Sequence, residues 1–326
     1  MYVSTAFAGQ VDGKSRAELL AELVSMRRSI VVAGAHGKTT TTAMITFCLD
    51  RLGLDPAFLI GGDIPQLGGN ARAGEGWLVV EGDESDRSVG ALRPDIAVLL
   101  NVDLDHHTEF ASRAELEKFF EDWLAGVPHV VRAYELDPVA LDLAVPGEHN
   151  RRNAAAALAA LELAGVARAD AERVIVEFAG AGRRLERRGE AGGVTVLDSY
   201  AHHPAELAAD IAAVRDGGRV IALFPPHLYS RTLHLAHGFA QALAGADAAC
   251  VTEIYPAREA PVPGVSGRLI VDELAVVRPG MRIGWAPVLE SAAEMVASWA
   301  RQGDTVLTLG AGDVDRAAAM VLERLA

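Results

Sequence analysis

The chain alternates apolar runs of strand length with periodic segments of helix length almost from end to end. This alternation is typical of parallel sheets covered by helices, because each parallel crossover needs a long connection. We therefore predict an α/β protein. The predicted strands cover residues 30–33, 77–81, 96–100, 194–197, 220–224, 248–252 and 305–309. The predicted helices cover residues 39–52, 114–124, 150–164, 204–214, 232–244, 291–301 and 313–325.

Length and hydrophobic content predict two domains. The 326 residues, of which 50% are hydrophobic, are sufficient to fill two cores. Two glycines and a pair of arginines interrupt the periodicity between residues 178 and 184. We predict a central domain over residues 29–179 and a C-terminal domain over residues 180–326, facing each other across a cleft. Ligands of such sheets bind beyond the carboxyl ends of the strands, so polar residues at those ends are the candidate site residues.

The most informative strand end is Gly34-Ala-His-Gly-Lys-Thr-Thr-Thr-Thr42, which follows the first predicted strand. A glycine-rich turn at a helix N-terminus points backbone N–H groups at a bound anion, and the helix dipole favours negative charge there. Lys38 would add a full positive charge, and the Thr39 hydroxyl could coordinate magnesium. The spacing G-x-x-G-K-T is tighter than the usual phosphate-binding pattern, and a simple turn with a solvated lysine is the alternative. The order of strand, turn, lysine, threonine and helix favours a nucleoside triphosphate site.

Acidic residues follow the next two predicted strands. The second strand ends in Glu81 and an acidic turn, and the third is followed by Asp105 and His106. Carboxylates at these ends could hold magnesium opposite Thr39, and a histidine can complete a mixed ligand shell. Acidic turns and single histidines are often only solvated. Glu81, the first polar residue to leave its strand, and His106, which follows an aspartate at a strand end, are the favoured ligands.

Further polar clusters lie at a helix start, at the predicted boundary and at two later strand ends. They contain Asn150 and Asn153, Arg183 and Arg184, Asp198, Tyr200, His202 and His203, and His227 and Arg231. The asparagines could cap an alanine-rich helix or hydrogen-bond a purine edge. Arg183 and Arg184 are placed to reach a phosphate, and the planar fork of Arg231 could clamp a carboxylate. Taken singly, these clusters could instead be a cap, a solvated pair and a loop.

Charge and composition exclude several classes of partner. The formal net charge of −14 would repel nucleic acids and anionic membranes, so neither is expected as a partner. No apolar run approaches the roughly 20 residues that span a bilayer, and the first residues lack the layout of a secretion signal. The two cysteines, Cys48 and Cys250, lie far apart and have no metal-type neighbours. These features predict a cytoplasmic protein that holds its phosphate ligand by local geometry.

Taken together, these motifs resemble the Mur ligase family. The matching segments are, in order, Gly34–Thr42, Glu81–Asp86, Asp105–His106, Gly147–Asn153, Arg183–Arg184, Asp198–Pro204, Pro226–Thr232 and Tyr255–Pro261. Such a series in the right order is a specific signal, and it runs over nearly the whole chain. The resemblance implies a P-loop-type ATP-binding central domain with a parallel sheet and a Rossmann-like C-terminal α/β domain.

The resemblance also implies an activity and its substrates. In that family, ATP phosphorylates a substrate carboxylate, and the amine of an amino acid then attacks the acyl phosphate. The similarity is strongest to members that add L-alanine to UDP-N-acetylmuramate in peptidoglycan synthesis. It therefore implies ATP and Mg²⁺ as cofactors, with L-alanine and UDP-N-acetylmuramate or a related carboxylate as substrates.

Residue roles carry over at the matching positions. Nucleotide-binding roles fall on Gly34, His36, Gly37, Lys38, Thr39, Thr40, Asn153, Arg184 and Asp198. Among these, Asn153 would contact the adenine, Asp198 the ribose and Arg184 a phosphate. Thr39, Glu81 and His106 would serve the magnesium ions. Substrate-binding roles fall on Tyr200, His227 and Arg231, and catalytic roles on Lys38, His202, His203 and Arg231.

Some segments depart from the family pattern. Residues 1–28 resemble the exit of an N-terminal UDP-binding domain, and we interpret them as a remnant or linker of it. The segment 124–146 is shorter than the family's insertion there, and Ala35, Ser199 and Leu228 stand in place of Thr, Asp and Arg. Two alternatives follow. One is a ligase that returns a recycled murein tripeptide to the sugar nucleotide, and the other is a truncated ATP-binding module whose UDP-binding domain is a separate polypeptide.

Overall fold

Two units, each built on its own six-stranded sheet, make up the chain. The computed structural model describes residues 2–3, 14–84, 86–103, 110–215, 218–257 and 259–326. Unit 1 covers Met1–Gly182, and unit 2 covers Arg183–Ala326.

Unit 1 has a main sheet with helices on both faces and a separate short strand pair. Its strands are β1 (Tyr2–Val3), β2 (Lys14–Ser15), β3 (Ser29–Ala33), β4 (Ala57–Leu59), β5 (Ala71–Arg72), β6 (Leu78–Glu81), β7 (Ile96–Leu99) and β8 (His129–Arg132). Its helices are α1 (Arg16–Met26), α2 (Lys38–Arg51), α3 (Arg113–Leu124), α4 (Glu148–Leu163) and α5 (Arg168–Ile175). The main sheet has the order β5-β4-β6-β3-β7-β8, and β1 pairs with β2.

Strand β3 is buried on both faces, which explains its continuous apolar sequence. Ile30 and Val32 join a core with residues of α2, α4 and α5. Val31 and Ala33 join a second core with residues of α1 and α3. Because successive side chains of a strand point to opposite faces, β3 anchors both layers of unit 1.

The strand register brings the predicted phosphate turn and the acidic turn to one edge of the sheet. In the parallel pairing, Val32 lies opposite Glu81 of β6 and opposite Val98 of β7. The three strands therefore end at nearly the same level. Gly34 and Gly82 directly follow β3 and β6, and Asn101, two residues beyond β7, lies against Gly34 at the carboxyl edge.

Residues 14–26, predicted to belong to a linker remnant, form β2 and α1 of unit 1. Ser15 caps α1 in a capping box with Glu18, in which each side chain bonds the backbone N–H of the other residue. Leu20 and Val24 of this helix are buried in the core.

Unit 2 is a sheet with helices on both faces. Its strands are β9 (Glu186–Ala191), β10 (Val194–Ser199), β11 (Val220–Phe224), β12 (Ala248–Val251), β13 (Arg282–Trp285) and β14 (Thr305–Leu309). Its helices are α6 (Pro204–Val214), α7 (Tyr229–Leu243), α8 (Arg268–Val277), α9 (Leu289–Trp299) and α10 (Asp315–Leu325). The sheet order is β13-β12-β11-β14-β10-β9. Successive side chains of the central strands point alternately into a core with α6, α7 and α8 and into a core with α9 and α10.

The predicted α/β fold is confirmed, with one correction to the strand directions. At the edges, β5 runs antiparallel to β4, and β9 runs antiparallel to β10. The sequence of β9 is Glu-Arg-Arg-Gly-Glu-Ala, which has no apolar alternation, so periodicity could not reveal it. An edge position tolerates such exposed, charged side chains.

Several predicted helix boundaries differ from the structure by one to three residues, and the largest difference is at the start of α7. Helix α7 begins at Tyr229 rather than at residue 232, after Leu228, whose φ is positive at 69°. The helix thus starts within the Pro226–Thr232 motif, and Arg231 lies in its first turn. Among the residues placed by the structure, no helix is both long enough and apolar enough to cross a membrane.

Candidate functional site

The turn that joins β3 to α2 has the geometry of an anion cradle. Gly34 has a φ of 130° and Gly37 a φ of 83°, in the region that favours glycine. A Cβ atom at Gly34 would lie 2.9 Å from the carbonyl oxygen of Asn101, and one at Gly37 would lie 2.5 Å from Oδ1 of Asn153. Helix α2 begins at Lys38, and the N–H groups of its first turn have no acceptor within the helix. These N–H groups and the positive end of the helix dipole suit a phosphate.

Asn101 braces this turn through both ends of its amide. Its Oδ1 accepts the N–H of His36 at 2.9 Å, and its Nδ2 donates to the carbonyl of His36 at 2.9 Å. These two bonds hold the turn in one conformation. The ring Nε2 of His36 lies 3.9 Å from the carboxylate of Asp103. Thr40, another predicted nucleotide-binding residue, is buried in the first turn of α2.

The side chain of Lys38 folds back over the turn. Its Nζ donates to the carbonyls of Gly34 at 2.6 Å and Ala35 at 3.2 Å, and to Oε1 of Glu84 at 3.0 Å. The side chain of Glu84 is only 3% exposed, and that of Lys38 is 17% exposed. Burial acts to lower the pKa of Lys38, but nearby carboxylates, Glu84 foremost, outweigh it and hold the pKa above its ordinary value. Lys38 therefore carries its positive charge beside the turn.

Thr39 and Glu81 form a pair of hard oxygen donors next to the turn. The Thr39 hydroxyl donates to Oε1 of Glu81 at 3.0 Å, and Oε2 of Glu81 accepts the N–H of Gly61 at 2.6 Å. Hydroxyl and carboxylate oxygens are donor types that magnesium takes, together with phosphate oxygens and water. The two residues thus fit a divalent cation. The third predicted ligand, His106, lies outside the described residues, and within those residues no group of three or more His, Cys, Asp or Glu side chains could hold a metal.

Asn153 lies against the turn on the side of α4. Its Oδ1 is the atom that a Cβ at Gly37 would strike, and its Nδ2 donates to Oδ1 of Asn150 at 3.3 Å. Helix α4 begins at Glu148 after Gly147, and Gly147 forms no side-chain capping bond. The capping interpretation of the asparagines was therefore wrong, because both lie inside the helix. Asn153 lies beside the cradle. Its role as an adenine contact, which the family resemblance implied, stays a prediction.

In unit 2, Asp198 is fully buried and is bonded through both carboxylate oxygens. Its Oδ1 accepts the hydroxyl of Thr308 at 2.6 Å, and its Oδ2 accepts Nε of Arg183 at 2.8 Å. The exposure of Asp198 is 0%. Its role as a ribose contact stays a prediction, and a ribose hydroxyl would have to share oxygens that already have partners.

Arg183 bonds both the end of β10 and the loop after β14, at the carboxyl edge of the unit 2 sheet. Its guanidinium donates to the carbonyls of Gly312 at 2.7 Å and Gly310 at 2.8 Å, in addition to Asp198. Its own carbonyl accepts the N–H of Tyr200 at 2.6 Å, and its guanidinium carbon lies 5.1 Å from the centre of the Tyr200 ring. Arg183 thereby fixes Tyr200 relative to the loop after β14.

Glu206 of α6 interacts with two of the predicted site residues, Arg184 and His202. Its Oε1 lies 3.8 Å from Nη1 of Arg184, and its Oε2 accepts the N–H of His202 at 3.0 Å. His203 is the N-cap of α6, and its Nδ1 accepts the N–H of Ala205 at 3.4 Å. Arg184, His202 and His203 are therefore grouped at the start of α6.

The other predicted substrate residues lie in contact with this group. Nη1 of Arg231 is 3.1 Å from Nδ1 of His227, and Arg231 is 7% exposed. The His227 ring is stacked on Tyr255, with ring centres 5.9 Å apart, and meets the His202 ring edge-on, also at 5.9 Å. The His202 ring in turn lies 5.3 Å from Tyr200. Four predicted residues thus form one cluster of aromatic and cationic groups in unit 2.

Behind this cluster, Ser199 and Asp210 form a buried pair. The Ser199 hydroxyl donates to Oδ2 of Asp210 at 2.5 Å. Burial raises the pKa of Asp210 from 3.8 to about 7, although the Ser199 bond opposes the rise. An aspartate at residue 199, which the family pattern led us to expect, would put a second carboxylate against this one. Serine avoids that repulsion and supplies a donor.

Asp210 makes stability depend on pH. The carboxyl ionises near pH 3.8 in the unfolded chain and near pH 7 in the folded one, so stability is lost as the pH rises between these values. We expect the free energy of unfolding to fall relative to that of the Asp210→Asn variant by up to about 1.4 kcal/mol per pH unit in this range. Urea unfolding at several pH values measures the difference. Asp272→Asn, at an exposed position of α8, is the control. If the native and Asp210→Asn curves ran parallel, the prediction would be wrong.

Two contributors to these sites, Asn101 and Thr308, had no predicted role. Arg183 was predicted only as a phosphate contact together with Arg184, and its bond to Asp198 was not foreseen. Asn101 is the first polar residue after its strand, the same signal that singled out Glu81, so it could have been found. Glu84 belongs to the acidic turn that was predicted either to hold magnesium or to be solvated, and its pairing with Lys38 was not foreseen. Thr308 lies within an apolar strand, where the sequence gives no sign of a buried partner.

The family comparison agrees with this architecture. Residues 32–131 match the Mur ligase middle domain, and residues 183–312 match the glutamate ligase domain of Mur ligases. These matches cover more than half of the chain, which therefore belongs to the Mur ligase family. The resemblance inferred from the motifs is confirmed.

Within the family, the chain is similar to the UDP-N-acetylmuramate–L-alanine ligase of Streptomyces avermitilis. The two are 40% identical over 95% of this chain and 78% of the relative. The aligned stretch of 367 residues is longer than this chain of 326, so the relative carries internal residues without a counterpart here.

Two solved structures share the fold. The UDP-N-acetylmuramate–alanine ligase MurC from Thermotoga maritima matches with a TM-score of 0.80 and 24% identity, over 95% of this chain and 79% of that one. A murein peptide ligase from Psychrobacter arcticus matches with a TM-score of 0.64 and 22% identity, over 96% of this chain and 81% of that one. At these identities, both likenesses concern the fold alone.

Proposed function

We propose that this chain is an ATP-dependent ligase that joins L-alanine to the carboxylate of UDP-N-acetylmuramate. The observation that carries the proposal is a braced phosphate turn, with Lys38 folded over it, in a chain 40% identical to a UDP-N-acetylmuramate–L-alanine ligase. Chemistry of this kind needs an ATP site and a site for the incoming amine, and unit 1 and unit 2 each carry a cluster suited to one of them.

In the first step, a carboxylate oxygen of the sugar nucleotide attacks the γ-phosphorus of ATP. The bond from that phosphorus to the bridging oxygen breaks, ADP leaves, and an acyl phosphate forms. Because the attacking group and the phosphate are both anionic, their repulsion must be neutralised. Lys38 and the N–H groups of the turn supply positive charge for this purpose. Asn153, beside the turn, is the proposed adenine contact.

Mg²⁺ is proposed to bind at Thr39 and Glu81, with His106 as a further ligand. When bound, the ion would supply positive charge to the phosphate oxygens. The support is the hydroxyl–carboxylate pair of Thr39 and Glu81 at 3.0 Å next to the cradle.

In the second step, the amine of L-alanine attacks the acyl carbon, phosphate leaves, and the amine loses a proton. We propose that Arg231 binds the alanine carboxylate through its planar fork and that His202 or His203 accepts the proton. Tyr200 and His227 would line the same site. Arg184 is the proposed contact to a phosphate, and Asp198 the proposed contact to the ribose.

Phosphate release with defined mixtures of substrates tests this function. With ATP, Mg²⁺, L-alanine and UDP-N-acetylmuramate together, we expect release of phosphate and a product with the summed mass of the two substrates less water. Leaving out either substrate should stop both. Replacing L-alanine by a murein tripeptide tests the recycling alternative, and adding a separate UDP-binding polypeptide tests the alternative of an ATP-binding module. If no mixture gave amine-dependent phosphate release, the proposed ligase activity would be rejected.

We also propose that the reaction takes place in the cytoplasm. Cys48 and Cys250 are both free and buried, which suits a reducing compartment. Fractionation of cells that express a tagged chain measures its location, and recovery outside the cytoplasmic fraction would contradict the proposal.

A further inference from the structure

Lys38, the cation of the proposed phosphate site, is already paired with a buried carboxylate. Oε1 of Glu84 lies 3.0 Å from Nζ of Lys38, and only 3% of the Glu84 side chain is exposed. The carboxylates of Glu81 and Asp83 also act on Lys38. In the described structure, three carboxylates therefore act on the charge of Lys38.

Backbone hydrogen bonds fix the main chain on both sides of Glu84. The N–H of Gly82 donates to the carbonyl of Val32 at 2.8 Å, which keeps the chain on the sheet edge just beyond β6. Beyond it, the N–H of Arg87 is bonded to the carbonyl of Glu84 and the N–H of Val89 to the carbonyl of Asp83, both at 3.0 Å. The position of Glu84 is thus set by the fold.

This arrangement has a consequence for an incoming phosphate. A phosphate in the cradle would meet a lysine whose charge is balanced and a carboxylate that water screens poorly. A nucleotide without a metal ion would therefore be repelled by Glu84. A nucleotide that arrives with a divalent cation brings the charge that offsets this repulsion.

We propose that Glu84 makes nucleotide binding depend on a divalent cation, by balancing the charge of Lys38 and opposing metal-free nucleotides. Glu84 acts here as a specificity-determining residue that discriminates between two forms of one ligand. The inference rests on the proposed function, because it takes the turn to be a nucleotide site.

Calorimetric titration with ADP, in Mg²⁺ and in EDTA, tests the proposal. The quantity of interest is the ratio of the metal-free Kd to the Kd with Mg²⁺. We expect Glu84→Gln to reduce this ratio by about tenfold or more, the scale on which one close charge shifts an ionic equilibrium. The reduction should come from tighter binding in EDTA. A purely structural role for Glu84 would not tighten binding in either condition.

Three further variants complete the design. Glu84→Asp keeps the charge and should keep the ratio near that of the native protein. Glu75→Gln makes the same change at an exposed position just before the other end of β6 and should have no effect. Glu84→Ala also removes the charge and provides a second test if Glu84→Gln does not fold. Circular dichroism shows whether each variant is folded.

The outcomes distinguish a failure of the proposed role of Glu84 from a failure of the proposed nucleotide site. An unchanged ratio in folded Glu84→Gln or Glu84→Ala protein, with nucleotide still bound, would overturn the role of Glu84 alone. Equal weakening in Mg²⁺ and in EDTA would overturn it too. If the native protein bound no nucleotide under either condition, the nucleotide site itself would be rejected.

Discussion

Replacing Lys38 with methionine is expected to abolish amine-dependent phosphate release, lowering kcat by about a thousandfold or more. Methionine keeps most of the length of the side chain but removes the charge that Lys38 holds over the turn. In the native protein, Nζ of Lys38 is held at the turn by a 2.6 Å bond to the carbonyl of Gly34. Without this cation, the transferring phosphate would lose a positive charge that stabilises it. Steady-state phosphate release at saturating substrate concentrations measures the loss.

The same substitution has a structural side effect that the experiment must separate. Without Lys38, the carboxylate of Glu84 would be buried without its cation, which typically costs about 3–5 kcal/mol. The double variant Lys38→Met/Glu84→Gln removes both charges and is expected to fold better while remaining inactive. Lys118→Met, on an α3 side chain that is 74% exposed, is the control and should keep native kcat. A folded double variant with kcat within about tenfold of native would contradict the role of Lys38.

Replacing Arg183 with alanine is expected to lower the free energy of unfolding of unit 2 by about 3–5 kcal/mol. The substitution would leave Asp198, at 0% exposure, with a buried charge and no cation. The carbonyls of Gly310 and Gly312 would lose their donors as well. Urea unfolding followed by circular dichroism and tryptophan fluorescence measures the change.

Two matched variants show whether burial causes the effect. Arg187→Ala removes an arginine of β9 that is 62% exposed and paired with Glu190, and such surface pairs contribute about 0–1 kcal/mol. Arg183→Lys keeps the charge but not the planar fork that bonds Asp198 and two carbonyls, so we expect an intermediate loss. Equal losses for Arg183→Ala and Arg187→Ala would contradict the account.

The fold was predictable where single strands carried their own signal. Strand β3 is buried on both faces, so its apolar run was visible in the sequence. Strand β9, with its charged residues, and β4, with three residues, become strands only through pairing with their neighbours. Edge directions follow from such tertiary contacts, which is why two antiparallel edges were missed.

The candidate site was predictable at the turn and less so around it. Gly34 and Gly37 were found because the turn needs backbone angles and close contacts that only glycine allows. The pairing of Glu84 with Lys38 and that of Arg183 with Asp198 were missed because each depends on burial against a charge on another element. A sequence shows that a charged residue is present, but only the fold shows whether water can reach it.

Calorimetric titration of the native protein with ADP and Mg²⁺ tests most directly whether the turn between β3 and α2 is a nucleotide site. Saturable binding of one nucleotide per chain, which Lys38→Met/Glu84→Gln weakens and Lys118→Met does not, is the expected result. Absence of saturable binding by folded native protein, or equal binding by all three proteins, would contradict the assignment.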